Sequence, residues 1–584
     1  MRDFFKFIFA SCLGTILAVG VIFLFFLSFT LSSAPQETIS SGSTLHITLN
    51  EIIPELGDNI ENGGFAISEL KNVGLNEIKD HLAHAAQDNK VNGILIETEM
   101  PNVGQATALS IYNSIKEFKQ SGKPVMAYGE YFSQTGYLLA SLADSVILNP
   151  NGMMDIRGYG VLIPYFAEMI DKIDAKVDVY FAGQYKSAIE PYYRSSSSSQ
   201  NDYQTEEFLN DWQDLWLDLI TENRGIDRKT LSDIIENGTI VTAEIALESG
   251  LCDALAYRSD FDGSFSDQLD RKKLKLVDLD QYVTLTEVDE KSSSNKVAVV
   301  YMEGTIMNNN EDKGVISMDT YKKVFDRLAS RKSVKAVVLR VNSGGGDALE
   351  SDIIWDRVEE LKKAGKYVVA SFGDYAASGG YYISCGADQI VSMPNTLTGS
   401  IGVFAMIPDL SQTFANNLGI RFDSIGTGEN TFMYSPMVPR NKAQNQKIQA
   451  NTEQTYQKFL SRVAEGRGKS VEEIHQVAQG RVWSGEDAVE AGLVDEIGDL
   501  DKAIEIAAEG AELDNYQVYS YPIIERSFYE ELLYSLGDLE NVKAALQIKT
   551  PQILNPEILD MVEMVSEHQL AKPQCRLPFM VEIN

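Results

Sequence analysis

Two tandem α/β units of the βαβ kind, preceded by one N-terminal transmembrane helix, are the architecture this sequence predicts. Three observations predict it. The chain repeats itself at an offset of about 243 or 244 residues. Within each copy, short apolar runs alternate with helical patterns, which implies parallel strands joined by right-handed crossovers. Ahead of both copies, Phe7–Leu31 is a run of 25 residues without a charge.

That run exceeds the roughly 20 residues a helix needs to span a bilayer. Arg2 and Lys6 flank its start, and no Lys or Arg follows until Lys71. The positive-inside rule then leaves residue 1 in the cytoplasm and the bulk of the chain on the far side. A cleaved signal peptide competes with this reading, but the best cleavage site, Ser32-Ser33-Ala34, is followed by Pro35. Residues 1–34 are therefore read as an anchor with a short cytoplasmic N-terminus. Residues 35–44 (PQETISSGST) are read as a polar tether.

The N-terminal repeat is placed at 45–285 and opens on the strand Leu45-His-Ile-Thr-Leu. It contains VNGILIE (91–97), GKPVMAYG (122–129) and YLLASLADSVILNP (137–150). The charged, Ser-rich stretch 286–296 is a linker. The C-terminal repeat, 297–545, opens on Val297-Ala-Val-Val-Tyr-Met and contains VKAVVLR (334–340), GKYVVASFG (365–373) and YYISCGADQIVSMP (381–394). The ends agree as well: GTIVTAEIALESGLCD (238–253) parallels GRVWSGEDAVEAGLVD (480–495). Leu349, Ile353, Ile354, Val358 and Leu361 give Ala348–Lys363 helical spacing, and 205–223 and 441–466 read as longer helices. Residues 194–200 (RSSSSSQ) read as a mobile polar loop. Residues 546–584 lie beyond the repeat as a C-terminal extension.

Composition narrows the function classes. With 584 residues, 44% of them hydrophobic, the chain can bury a large core. A net charge of -34 argues against nucleic acid, which needs Lys and Arg patches. No phosphate-binding loop and no zinc-type Cys/His spacing is present in the sequence, so no metal and no cofactor is expected. His81 and His84 stand at helical spacing and read as an exposed helix face. Cys12, Cys252, Cys385 and Cys575 are too scattered for a disulfide framework and read as reduced or buried, with a single disulfide still open.

The two copies differ where chemistry would sit. Ser378 falls opposite Gln134, and Lys186 falls opposite roughly Thr431, so each half holds what the other lacks. Ser378 lies in AASGGYYIS (376–384), after a strand and at the start of a helix. A helix N-terminus favours negative charge, and the amide of Gly379 beside the serine suits an oxyanion. A Gly-rich turn with an N-cap serine fits the same residues. NSGGGD (342–347) follows another strand, and its amides could supply a second oxyanion donor; a plain turn fits as well. Lys186 lies in GQYKSAIEPY (183–192). Burial among Tyr185, Ala188, Ile189 and Tyr192 would favour its neutral, basic form; an exposed loop lysine is the alternative. No histidine lies within 70 residues of Ser378, whereas Ser–Lys pairing is a known variant of the serine-hydrolase logic.

GQYKSAIEPY, NSGGGD, AASGGYYIS and NTLTGSIGVF (395–404), in that order across two repeats, resemble the signal peptide peptidase A (protease IV) family in its long, duplicated form. The resemblance runs from about residue 45 to 545. It implies a ClpP/crotonase-like fold and a membrane-anchored serine endopeptidase with a Ser/Lys dyad. Ser378 would be the nucleophile and Lys186 the general base. Ser400, in the TGSIG motif, would orient the lysine, and Gly379 with Gly344, Gly345 and Gly346 would form the oxyanion hole. The resemblance also implies a homotetramer in the cell inner membrane, its catalytic part on the periplasmic side, acting on remnant signal peptides. Two rival readings are a crotonase-type acyl-CoA enzyme and a catalytically silent scaffold of the same fold.

Overall fold

A computed structural model describes residues 38–59, 72–238, 240–288, 292–308 and 314–523, together with Gly14 and the strand Gln574–Arg576. The chain divides into two compact units, Met1–Ser41 and Gly42–Asn584. The elements described here belong to the second. Among the described residues no helix is long and apolar enough to cross a membrane. The expected anchor, residues 1–34, lies outside them apart from Gly14.

The first half contributes β1 (Ser43–Ile47), β2 (Val91–Ile96), β3 (Val125–Ser133), β4 (Ser145–Asp155), β5 (Lys176–Ala182), β6 (Val241–Thr242), β7 (Ala254–Leu255) and β8 (Leu276–Asp278). The second contributes β9 (Lys296–Glu303), β10 (Thr305–Ile306), β11 (Val315–Ile316), β12 (Val334–Ser343), β13 (Gly345–Asp347), β14 (Tyr367–Ala377), β15 (Gln389–Ser392), β16 (Leu397–Gly399), β17 (Val403–Asp409), β18 (Val482–Ser484), β19 (Glu496–Ile497) and β20 (Gln517–Tyr521). β21 is Gln574–Arg576.

The duplication is visible in the topology. One sheet runs β6-β4-β3-β2-β1-β8 with β7 beside β4, and another runs β18-β16-β14-β12-β9-β20 with β15 beside β14 and β19 beside β15. The order is the same, except that the long β4 of the first half is divided into β15 and β16 in the second. The central pairs β1–β2, β2–β3, β9–β12 and β12–β14 are parallel, as alternation of strand and helix requires. Their strands are buried on both faces and read as apolar runs: Val297 to Val300 and Val337 to Leu339 are fully buried.

Helices cover the sheets. Ala348–Lys363 buries Ile354, Trp355, Val358 and Leu361 against the second sheet, with Asp347 accepting from the Glu350 amide as its N-cap. Leu349 and Ile353 were expected on that face, yet they stay exposed at 58% and 36%, because Ala348, Ser351 and Trp355 take the inward positions. Among the described residues the two longest helices, Ser199–Arg224 and Lys442–Arg467, are 26 residues each and end on left-handed Gly225 and Gly468. The first begins six residues before the expected start. Ser198 accepts from the Asn201 amide as its N-cap, and Glu190 accepts from the Ser198 amide. The serine-rich run 194–200, expected as a mobile loop, is thus a capping turn.

His81 also departs from expectation. It is 8% exposed, with its ring nitrogens 2.8 Å from the Glu77 carbonyl and 3.2 Å from the Thr286 carbonyl. The helix Leu75–Gln87 therefore uses it to hold the end of the first repeat. Cys252 and Cys385 are free and buried.

A third sheet joins the halves, in the order β11-β10-β13-β21-β17-β5. Its β17–β5 pair is antiparallel, from Val403 opposite Ala182 to Asp409 opposite Lys176. One strand comes from each repeat, so this ladder fixes the two repeats against each other.

Candidate active site

The β17–β5 ladder determines what meets at its end. Lys186 follows β5 by four residues, and Ser400 precedes β17 by three. With Val403 opposite Ala182, the two are carried to the same place. The lysine loop is then pinned to the far end of the second repeat. The Tyr185 amide donates to the Gln479 carbonyl at 2.9 Å. A Cβ on Gly480 would fall 2.7 Å from the Lys186 Cβ. Ser400 is held from both sides: its amide donates to the Arg481 carbonyl at 2.6 Å, and the Gly480 amide donates to the Ile401 carbonyl at 2.8 Å.

Ser378 stands at the turn from β14 into the helix Gly379–Ser384. Its φ of 56° and ψ of -111° are sparsely populated for a residue with a Cβ, a strain of roughly 1–3 kcal/mol that clusters at functional sites. Two backbone bonds hold it there. The Ser378 amide donates to the Gly399 carbonyl, and its own carbonyl accepts from the Tyr382 amide, both at 2.8 Å. Gly380 follows because a Cβ there would meet the Ser343 carbonyl at 2.5 Å.

Lys186 Nζ lies 2.7 Å from Ser378 Oγ, 3.0 Å from Ser400 Oγ and 3.2 Å from the Ser400 carbonyl. All three residues are buried, Lys186 at 3% exposure and both serines at 0%. Ser400 Oγ in turn donates to the Gly480 carbonyl at 3.4 Å, which leaves its lone pairs to accept from the amine. A neutral amine has two N–H bonds and one lone pair. The amine is thus within hydrogen-bond distance of both serine hydroxyls and of the Ser400 carbonyl.

The glycines behave unequally. The Gly345 amide donates to Ser343 Oγ at 3.1 Å, and Ser343 Oγ donates to the Gly304 carbonyl at 2.6 Å. Gly345, expected as an open oxyanion donor, is therefore spent on its own turn, where its φ of 100° requires glycine. Gly346 sits in the sheet opposite Ile306. Gly379, at the helix N-terminus beside the serine, and Gly344, half-buried, remain the amides nearest the required role.

One element of the C-terminal extension reaches this site. β21 runs antiparallel to β13, with Gly345 opposite Arg576 and Asp347 opposite Gln574. It also pairs with β17 through Phe404 and Gln574. An extended piece of the chain thus lies along the glycine strand, against the helix that Ser378 opens.

Asp374, four residues before Ser378, was not singled out by the sequence. Its carboxylate accepts from the Ala106 and Thr107 amides at 2.7 and 3.0 Å and from Thr107 Oγ1 at 2.7 Å. It caps the first-repeat helix Gln105–Lys119 from the second repeat, and burial holds its carboxyl above the usual range. Gly104 is the one glycine retained in the first repeat's MPNVG (100–104), and a Cβ there would meet this carboxylate at 2.2 Å. Behind it Arg340 forms a bidentate pair with Glu55, at 2.9 and 3.0 Å, both side chains buried. Cys385 is no rival nucleophile, since burial pushes its thiol well above its ordinary value.

The sequence profile described as Peptidase family S49 matches residues 117–269 and again 360–514. The chain is similar to Protease 4 of Haemophilus influenzae, at 33% identity over 84% of each chain. It is also similar to Protease 4 of Salmonella typhi, at 34% over 78% of this chain and 75% of that one. A third relative is the chloroplastic serine protease SPPA of Arabidopsis thaliana, at 27% over 82% and 71%. Among solved structures it is similar to ClpP1 from Listeria monocytogenes, at 18% identity over 35% of this chain and 94% of that one, with a TM-score of 0.22.

Proposed function

The chain belongs to peptidase family S49 in duplicated form and is a serine peptidase, and on that premise we propose that Ser378 and Lys186 act as its nucleophile and general base. The observation that carries the reading is the 2.7 Å separation of Lys186 Nζ and Ser378 Oγ across 192 residues of sequence.

The chemistry then runs as follows. Neutral Lys186 takes the proton of Ser378 as Oγ attacks a peptide carbonyl carbon. Charge develops on the carbonyl oxygen, where the Gly379 and Gly344 amides stabilise it. The C–N bond breaks, and Lys186 returns the proton to the leaving amine. A water deprotonated by Lys186 attacks the acyl ester, and Ser378 leaves with its proton restored. Ser400 orients the amine throughout.

The substrate enters as an extended strand. Gln574–Arg576 lies antiparallel on Gly345–Asp347, and a substrate main chain would take the same ladder, as in peptide recognition by strand addition. We assign the substrate class as cleaved signal peptides, on the resemblance of the four motifs and the uncharged run Phe7–Leu31. That run would hold the enzyme in the inner membrane with residues beyond 34 on the outer side, and the expected assembly is a homotetramer.

Fluorophosphonate labelling tests the site. The reading expects labelling of the full chain, loss of the label in Ser378→Ala, and loss in Lys186→Ala with the fold retained by circular dichroism. A folded, unlabelled wild type would overturn it in favour of a silent scaffold.

A further inference from the structure

The first-repeat helix Gln105–Lys119 has no side-chain cap from its own N-cap residue. Its counterpart in the second repeat, Ala348–Lys363, starts on Asp347, whose carboxylate accepts from the Glu350 amide at 2.9 Å. Gly104 stands at the equivalent place, an offset of 243. Its φ of -70° and ψ of 168° suit ordinary side chains, so glycine is needed there for room and not for backbone freedom. Asp374 of the second repeat fills that room. Its carboxylate accepts from the Ala106 and Thr107 amides and from the Thr107 hydroxyl, at the end of the helix that favours negative charge. Glu130, which stands in the first repeat where Asp374 stands in the second, is exposed. The cap is supplied across the junction between repeats.

Asp374 sits in the stretch of β14 that aims Ser378. β14 and β12 pair regularly up to Phe372 opposite Val341, and pair again at Ala376 opposite Ser343. Residues 373–375 therefore bulge against the single Asn342, and bulges beside active sites re-aim side chains. Side chains hold this bulge where the ladder does not. The Tyr375 amide donates to Asn342 Oδ1 at 3.1 Å, and Thr396 Oγ1 donates to the Gly373 carbonyl at 2.7 Å. Asp374 ties the middle of the bulge to the first repeat. A second tie runs from the neighbouring strand: Asn395, two residues before β16, donates through Nδ2 to the Gln105 carbonyl at 2.9 Å. β16 pairs with residues 375–377 of β14, and its Gly399 carbonyl accepts from the Ser378 amide. Both strands that set the strained backbone of Ser378 are thus anchored on the first turn of one helix of the other repeat.

We propose that Asp374 is a positioning residue for Ser378: in capping Gln105–Lys119 it fixes the bulge from which the serine hydroxyl is aimed at Lys186. The role presupposes the Ser378–Lys186 dyad and deepens it, because it makes the two repeats reciprocal. The first repeat supplies Lys186, whose loop is pinned to the Gln479 carbonyl of the second. The second supplies Ser378, whose strand is pinned to a helix of the first. A cap that only stabilised the helix could come from either repeat, as Asp347 shows. A cap that aims the serine must come from β14.

Moving the cap back to the first repeat separates the two roles. Asp374→Ala, Gly104→Asp and the double variant are made in the full chain. Melting temperature and peptide hydrolysis are measured, the kinetics well below every melting temperature. Each single variant is expected to melt below wild type, Asp374→Ala for want of the cap and Gly104→Asp because its Cβ would fall 2.2 Å from the Asp374 carboxylate. The double variant caps the helix from position 104 and should melt above both singles. Its kcat should nevertheless stay with that of Asp374→Ala, down on the order of 100-fold with KM within about twofold, the effect of displacing a reacting group by about 1 Å. Should Asp374→Ala not fold, the capped double variant stands in for it. Asp374→Asn, which keeps an acceptor for the two amides, should recover at least about tenfold of that loss. A double variant that regains kcat together with its melting temperature, or an Asp374→Ala enzyme within about threefold of wild type, would reduce Asp374 to a helix cap and overturn the proposal. An Asp374→Asn enzyme no faster than Asp374→Ala would overturn it too, and this comparison decides if the double variant does not melt above the singles. Fluorophosphonate labelling keeps the dyad apart: an unlabelled wild type sinks the dyad, whereas wild type and Asp374→Ala labelled at equal rates sink the positioning role alone.

Discussion

Gly480 of the second repeat lies against Lys186 of the first so closely that a methyl group on it would meet the lysine Cβ at 2.7 Å. Its φ of 80° also excludes an ordinary side chain without strain. Gly480→Ala must push the lysine loop away from Ser378. Misplacement of a catalytic group by about 1 Å costs on the order of 100-fold, so a loss of that size in kcat is expected with KM nearly unchanged. Peptide hydrolysis by the purified variant checks it, and a variant within a few-fold of wild type would show that the loop tolerates the shift.

The rate should rise with pH. Only the unprotonated amine can accept the Ser378 proton, so kcat/KM increases as Lys186 loses its charge and then levels off. A profile flat from about pH 6 to 9 would mean that another group takes the proton.

Glu303 provides a stability signature at the boundary between repeats. Burial and the nearby Glu55 carboxylate push its carboxyl up to about 7, while the Glu55 backbone amide and Asn342 Nδ2 donate to it at 3.0 and 3.4 Å. A raised carboxyl binds its proton more tightly in the folded chain. Its contribution is therefore full below the ordinary value near 4.5 and is lost as pH rises through 7. Glu303→Gln should raise the melting temperature at pH 8, by a free energy of at most about 3 kcal/mol, and confer little by pH 5. A variant less stable than wild type at pH 8 would refute the assignment.

The strand Gln574–Arg576 competes with substrate for Gly345–Asp347 if the ladder is the substrate's path. A chain ending before Gln574 should bind peptides with a lower KM and an unchanged kcat. An unchanged KM would separate this strand from the binding path.

Much of the fold was legible because buried parallel strands are mostly apolar runs: Val297–Met302, Ala336–Val341 with its single Arg340, and Tyr367–Ser371 all lie within strands. Helix boundaries were less so, since the cap at Ser198 looks like any serine in a serine-rich run. Leu349 and Ile353 misled because helical spacing marks a face without saying which of its flanks is covered. His81 was misread because its partner, the Thr286 carbonyl, is 205 residues away.

The site divides the same way. Ser378, Lys186 and Ser400 stood out through motif resemblance and the mismatch between repeats, and the geometry brings these three together. Gly480, Ser343 and Asp374 did not, because their parts are played through backbone contacts and a helix cap, which leave no pattern in one sequence. Gly480 had a signal in hindsight: it opens GRVW, which closes the second repeat. Gly345 shows the reverse, a glycine whose amide is consumed by Ser343 beside it.

The most direct test compares Ser378→Ala, Lys186→Ala and the double variant by peptide hydrolysis in the full chain. If the two side chains act as one unit, each single variant falls by several orders of magnitude and the double variant is no worse than either. A Lys186→Ala enzyme within about tenfold of wild type, or single losses that multiply in the double variant, would contradict the pairing of this amine with this hydroxyl.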